Sequence, residues 1–103
     1  MSRVSNSEVR AMFRKLERLP YNACQEGLIV ARGKAPVASG KLRDSIKVSS
    51  SVADANYIQA TLYTNLPYAQ AIEFGTADSA AQPYMAPAFT RISYYVTRTL
   101  NKL

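Results

Sequence analysis

The spacing of the apolar residues changes twice along this chain, and this limits the folds that it can adopt. Residues 5–19 and 87–103 carry apolar side chains three or four positions apart, as on one face of a helix. Residues 42–52 and 57–64 carry them on alternate positions, as in half-buried strands. Two strands alone are marginally stable, so they must pack on the helices. The pattern predicts an α+β domain.

The N-terminal pattern begins with a helix-capping signal. Ser5 is followed three positions later by Glu8, as in a capping box. An apolar stripe follows, and we expect it to lie in the core rather than to bind a ligand. It contains Val9, Met12, Phe13, Leu16 and Leu19.

Pro20 interrupts this helical pattern, which resumes over residues 21–33. Proline is tolerated in the first turn of a helix but kinks a helix interior, so either a second helix begins here or one long helix bends. Gly27 either weakens the helix or allows another backbone to approach closely. Gly33 is the predicted end of the helix, and Pro36 prevents its continuation.

Turn residues divide the rest of the chain into short elements. Residues 35–41 form a connector, and residues 53–56 form a hairpin link between the strands. Residues 68–74 are predicted to form a short helix that Gly75 ends, and Pro87 is predicted to start the last helix. The predicted inward strand faces are Ile46, Val48 and Val52 in one strand and Ile58, Ala60 and Leu62 in the other. The predicted apolar stripe of the last helix is Phe89, Ile92, Val96, Leu100 and Leu103.

These elements predict a single domain, residues 1–103, with a long N-terminal helix or kinked helix pair. This helix and the C-terminal helix would pack on a small, mainly antiparallel β-sheet. A chain this short buries only about 60–65% of the surface that its unfolded form exposes. The modest core favours docking onto a partner or onto copies of the same chain.

The residue types exclude most catalytic and metal sites. The chain has no histidine and one cysteine, Cys24, which the helical spacing places in the core. A Ser-His-Asp site and a Cys-rich zinc site therefore cannot be built. A pair of Ser39 with Lys41 or Lys34, or Glu73 as a general base, are the remaining catalytic possibilities. We predict that the chain is not an enzyme and holds no cofactor or metal.

The charge is basic and unevenly distributed. The formal net charge is +6, and residues 1–34 carry most of the excess. A basic N-terminal third faces either nucleic acid or an acidic protein surface, or it is a solvated helix face. No run reaches the roughly 20 apolar residues of a membrane span. The polar N-terminus lacks the apolar core of a signal peptide, so we expect synthesis in the cytoplasm.

Three segments in order carry a family resemblance. The first segment, residues 35–46, has Ala-Pro followed by Ser-Gly-Lys-Leu-Arg-Asp-Ser-Ile. The second segment, residues 68–76, has Tyr-Ala followed by Ile-Glu-Phe-Gly-Thr. The third segment, residues 82–88, is Gln-Pro-Tyr-Met-Ala-Pro-Ala. From about Ala23 onward the chain resembles the gene-product-10-like family of tail components of long-tailed bacteriophages. One departure is Ala38, where the family usually has an acidic residue.

The resemblance implies a virion structural protein of the phage neck, made in the host cytoplasm. It would form a ring, of six copies or of twelve, that joins the tail to the head and lets DNA pass without sequence specificity. Its neighbours would be other neck and tail proteins, with no membrane partner. The loop of residues 76–82 would become ordered on assembly. The predicted subunit contacts are Tyr68, Glu73, Phe74, Tyr84 and Met85. The predicted contacts with DNA or an acidic partner are Arg10, Arg14, Arg18, Lys41 and Arg43.

The alternative is a small basic nucleic-acid-binding module that works as a monomer. Six of the seven tyrosines lie in the second half of the chain, where they suit a protein interface, a half-buried sheet or base stacking. A module of this kind should bind DNA with strong salt dependence. A ring protein should instead associate with itself or with neck proteins in the absence of DNA.

Overall fold

A computed structural model describes residues 5–37, 40–54 and 57–102. The elements, in chain order, are α1 (Asn6–Lys34), α2 (Lys41–Ser45), β1 (Lys47–Asp54), β2 (Tyr57–Tyr63), α3 (Ala69–Phe74) and α4 (Met85–Asn101). The two strands are antiparallel, and α1 packs against both the hairpin and α4. The predicted α+β class, with a long N-terminal helix and a C-terminal helix on a small sheet, is confirmed.

The N-terminal helix is continuous through the proline. Ser5 caps it, because its side-chain oxygen accepts the backbone N–H of Glu8 at 3.2 Å. Pro20 lies inside the helix, so of the two alternatives the single long helix is the one formed. The helix also runs through Gly33, which was predicted to end it, and stops at Ala35. Pro36 then prevents further helical hydrogen bonding.

The predicted strand over residues 42–52 is wrong in its first part. Residues 41–45 instead form the short helix α2, and the strand starts at Lys47. The N-cap of α2 is Gly40, whose φ of 72° is a left-handed conformation that glycine adopts without a steric penalty. The preceding Ala38 and Ser39, which carry part of the family motif, lie outside the described residues.

The two strands form a hairpin with one face toward the helices. Val48 pairs with Leu62 and Ser50 with Ala60, and a bulge follows Val52. The inward predictions are confirmed where side chains are described: Ile46 and Leu62 are buried, and Val48, Ile58 and Ala60 are half-buried. Part of the predicted hairpin link, residues 55–56, lies outside the described residues.

The core lies between the second half of α1, the hairpin and the start of α4. Ile46 and Tyr84 are its largest fully buried side chains. At Gly27 of α1, the absent side chain leaves room for Ile92 of α4 and Leu62 of β2. Side chains rather than another backbone therefore use the space that Gly27 provides.

The last helix starts two residues earlier than predicted. Met85 is its first residue and Tyr84 its N-cap, which places Pro87 at the third position. The predicted apolar stripe is only partly internal: Ile92 and Val96 are half-buried, but Phe89 and Leu100 are exposed. Leu103 lies outside the described residues. The one residue of α4 that is fully buried is instead Ala88, in its first turn.

The molecule is elongated, with extents of 61 × 24 × 20 Å and a radius of gyration of 17.3 Å. A compact chain of this length would have a radius of gyration of about 13 Å. The buried residues of α1 all lie between Leu19 and Ala31, so the first half of the helix projects from the domain.

Candidate functional site: a capped cleft and a projecting helix

A cleft of about 380 Å³ opens between the β2–α3 connection, α3 and the start of α4. It brings together four of the five predicted subunit-contact residues, namely Glu73, Phe74, Tyr84 and Met85. The fifth, Tyr68, is the N-cap of α3 and is 41% exposed. The structure therefore places these residues close together, and their role in a subunit contact remains a prediction.

Glu73 at the base of the cleft is buried and binds the start of α4. Its Oε1 accepts the backbone N–H groups of Tyr84 at 3.0 Å and Met85 at 2.7 Å, and its Oε2 accepts that of Ala86 at 3.2 Å. These are among the donors that a helix leaves unpaired at its N-terminus. The carboxylate also lies at the positive end of the helix dipole. Glu73 is therefore the cap of α4, supplied from α3.

Tyr84 closes the same corner from the other side. Its ring is 2% exposed, and its hydroxyl donates to the carbonyl of Ala69 at 3.0 Å. Burial, and then the negative charge of Glu73, raise the pKa of Tyr84 above its ordinary value. Because both side chains are used inside the chain, a direct subunit contact remains a prediction only for Tyr68, Phe74 and Met85.

The connection between α3 and α4 is exposed but held at its ends. Gly75 ends α3 with a φ of 80°, and a Cβ there would lie 2.7 Å from the backbone nitrogen of Ala81. The backbone N–H of Gln82 donates to the carbonyl of Ile72 at 2.8 Å. The prediction that Gly75 ends the short helix is confirmed. Ordering of the loop on assembly remains a prediction.

Phe74 stands at the rim of the cleft with 73% of its surface exposed. The Phe74 ring is therefore not among the side chains that anchor α3 to the core. Ala69 and Glu73 are the residues that α3 buries. Phe74 lies next to Glu73 in the chain, so in a single helical turn it points away from the core. A single exposed ring is common on protein surfaces, so the place of Phe74 in a subunit contact remains a prediction.

The projecting half of α1 is a second candidate surface. Residues 6–18 contain no buried side chain, and Val9, Met12 and Phe13 are 37%, 40% and 59% exposed. The prediction that this stripe packs in the core holds only for Leu19, with Leu16 half-buried. The spacing located a buried face correctly, but nothing in the described chain covers its first half.

The predicted basic contacts fall into two groups. Arg10, Arg14 and Arg18 are exposed and four positions apart, so they line one side of the projecting helix. Lys41 and Arg43 lie on α2, where Arg43 pairs with Asp44 at 3.2 Å. The structure does not bring the two groups together along one element.

Of the residues named as catalytic possibilities, Glu73, Lys34 and Lys41 lie among the described residues. Glu73 already accepts three backbone hydrogen bonds, and Ser39 lies outside the described residues. Cys24 is buried, and its burial raises the pKa of the thiol. Among the described residues, no group of His, Cys, Asp and Glu could hold a metal ion. None of the helices described is long and apolar enough to cross a membrane.

Comparison with known proteins identifies the family. Residues 22–75 match the family described as "Bacteriophage HK97-gp10, putative tail-component", which is more than half of the chain. No curated protein and no solved structure matches the chain. The match runs from the second half of α1 to Gly75, and it includes the first motif segment found in the sequence and all but the last residue of the second. A tail component is a structural part of the phage particle. The chain belongs to the HK97-gp10-like family of bacteriophage tail components.

Proposed function

We propose that this chain is the subunit of a ring at the junction of the phage head and tail. The ring completes the tail, joins it to the filled head and encloses a lumen through which DNA passes. Six copies would match the tail and twelve the portal. Membership of a tail-component family supports the virion role. The observation that carries the ring is the uncovered apolar stripe on the projecting half of α1.

This stripe needs a partner. It continues the face of α1 that is buried from Leu19 onward, so the same helix face is covered in one half and bare in the other. Residues 6–18 are a segment of α1 about 20 Å long without a buried side chain, and helices in proteins gain most of their stability from packing of an apolar face. Because the side chains of Met12 and Phe13 are exposed to solvent, the segment gains stability when another surface buries them.

The cleft supplies a surface of a different shape. The α1 stripe is convex, whereas the cleft beside Phe74 is concave with a volume of about 380 Å³. A contact between two different surfaces of identical subunits is heterologous, and it closes into a ring when the rotation allows. We therefore expect the α1 stripe of one subunit to cover the rim at Phe74, with Tyr68 and Met85, on the next subunit.

Light scattering on three variants tests this assembly. Phe13→Asp and Phe74→Asp each place a charge in one side of the proposed contact, and both should give folded monomers. Ile29→Asp is the matched control, because Ile29 is 69% exposed but lies about 160° around α1 from Phe13. This control should leave a discrete oligomer of the wild-type size. Circular dichroism confirms that each variant folds.

The outcomes separate the two proposed functions. A discrete wild-type oligomer that both Phe variants abolish supports the ring and gives its copy number. Wild-type chains that stay monomeric at every concentration and salt, but shift DNA at low salt, would favour the small basic nucleic-acid-binding module. If Ile29→Asp dissociates the oligomer and Phe13→Asp does not, the subunit contact lies on the opposite side of α1.

A further inference from the structure

The last helix carries a line of positive charges that the family motifs do not include. Arg91 and Arg98 of α4 and its C-cap Lys102 lie seven and four positions apart, and helical spacing places them within about 40° of one another around the helix axis. The line is about 16 Å long. All three side chains belong to exposed residues. From residue 79 to the C-terminus the sequence contains no acidic residue to offset them.

The charges border a cleft that is separate from the one at Glu73. This second cleft has a volume of about 240 Å³, and its lining includes all three cations together with Tyr94 and Tyr95. The guanidinium of Arg91 stands 5.8 Å from the centre of the Tyr94 ring, which fixes both side chains by a cation–π contact. Tyr94 is 55% exposed, so its ring and hydroxyl remain accessible.

One carboxylate, that of Glu26 on α1, lines the cleft among the residues that the structure describes. It lies 3.6 Å from Arg91 and compensates part of that charge. Neither Arg98 nor Lys102 has an ion pair within the described part of the chain. The cleft is therefore lined by two uncompensated cations and one partly compensated cation in a row, with one tyrosine on each side of Arg91 around the helix.

We propose that Arg91, Arg98 and Lys102 bind the phosphate backbone of double-stranded DNA, with Tyr94 and Tyr95 beside them. A DNA strand places one negative charge every 3.4 Å or so along the axis, which suits a straight row of cations. Arginine, lysine and tyrosine side chains all donate hydrogen bonds to phosphate oxygens, and such contacts do not distinguish one base sequence from another. The choice of duplex DNA as the ligand rests on the proposed function. The cationic cleft itself is observed in the structure and does not depend on that proposal.

Fluorescence anisotropy with a labelled duplex of random sequence tests the site. The variant Arg98→Gln/Lys102→Gln should reduce the slope of log affinity against log salt by about 1.8 between about 50 and 200 mM salt. Its affinity at the low-salt end should fall by about tenfold or more. The matched control, Lys34→Gln/Lys47→Gln, removes the same charge from two exposed lysines elsewhere. It should change the slope by much less.

Three results would overturn the proposal. The first is an equal decrease in the slope of log affinity against log salt for the control variant, which would mean that DNA binding depends on net charge alone. The second is an unchanged slope in the α4 variant. The third is binding of polyglutamate as tight as binding of the duplex at equal salt, which would indicate an acidic protein partner. Light scattering on the same samples tests assembly independently of DNA binding. If the chain binds DNA through α4 but does not assemble, only the proposed ring is contradicted.

Discussion

Glu73 Oε1 accepts the backbone N–H of Tyr84 at 3.0 Å, while the Tyr84 hydroxyl donates to the carbonyl of Ala69, four residues before Glu73, at 3.0 Å. Tyr84 is the donor in both hydrogen bonds, and both acceptors belong to α3. They fix the start of α4 against α3, although eleven residues separate Glu73 and Tyr84 in the chain. The corner at the base of the cleft is therefore held by the chain itself, before any partner binds.

Glu73→Gln should weaken the domain, although it preserves the shape of the side chain. The amide keeps one acceptor oxygen but turns an N–H₂ donor toward backbone donors of α4. It also removes the charge that makes these hydrogen bonds strong. We expect the free energy of unfolding to fall by about 2 kcal/mol, measured by urea denaturation. Asp78→Asn is the control, because Asp78 is an exposed carboxylate in the neighbouring connection. Equal stability of the Glu73 variant and the wild type would contradict the capping role.

Tyr84→Phe should destabilise the domain at neutral pH and less so at high pH. It leaves the carbonyl of Ala69 without its donor, which costs about 1 kcal/mol. Burial, and then the charge of Glu73, raise the pKa of Tyr84, so the folded chain holds the phenolic proton more tightly than the unfolded chain does. This stabilisation is complete below pH about 10 and is lost as the pH rises through the folded-state pKa.

The stability gap, meaning the difference in the free energy of unfolding between wild type and Tyr84→Phe, should therefore become smaller above pH about 10. Urea denaturation of both proteins at neutral and at alkaline pH measures this gap. Tyr94→Phe provides the reference, because Tyr94 is 55% exposed and should show little gap at either pH. A gap for Tyr84→Phe that stays constant across the alkaline range would show that folding does not raise the pKa of Tyr84, and it would contradict this prediction.

The helices and the hairpin could be predicted because their signals are local. Ser5 caps α1, Gly75 ends α3, and the alternation of Ile58, Ala60 and Leu62 marks the buried face of β2. The helix α2 was missed because it is a single turn. Leu42 and Ile46, its apolar positions, are four apart, and they fit alternation as well as they fit a helical turn.

The role of Glu73 could not be predicted from local signals, because its partners are backbone groups eleven to thirteen residues away. One signal did exist: Tyr84 is a poor N-cap, so a helix that starts after it needs an acceptor from elsewhere. The bare stripe at Phe13 has a different cause. Periodicity shows which helix face is apolar, but whether the same chain covers that face depends on the reach of α4 and the hairpin.

Pro20→Ala should stabilise the long helix. Proline inside a helix removes one backbone donor and costs about 3 kcal/mol relative to alanine, while its rigidity in the unfolded chain recovers about 1 kcal/mol of that. We expect the free energy of unfolding to rise by about 2 kcal/mol. Asn22→Ala, at an exposed position of the same helix, is the control. Its free energy of unfolding should rise by less than about 0.7 kcal/mol, from helix propensity alone. A loss of stability in Pro20→Ala would mean that a bend at Pro20 is required for α1 to pack on the domain.

Gly27 and Gly33 lie on the same helix, so alanine at each position tests packing against propensity. A Cβ at Gly27 would lie 2.6 Å from Cδ1 and 2.7 Å from Cγ1 of Ile92, and 3.3 Å from Cδ2 of Leu62. A Cβ at Gly33 would meet no atom within 4 Å. Alanine gains up to about 1 kcal/mol over glycine inside a helix, so Gly33→Ala should stabilise the domain by that amount or less.

Gly27→Ala should instead destabilise the domain, because the packed side chain of Ile92 must move to make room for the new Cβ. Overpacking of this kind costs about 1–3 kcal/mol, which exceeds the gain in propensity. Urea denaturation of the two variants measures the difference directly. The double variant Gly27→Ala/Ile92→Val, which shortens the opposing side chain, should recover part of the loss. If Gly27→Ala is as stable as Gly33→Ala, the packing of α1 on α4 is looser than the contact at Gly27 indicates.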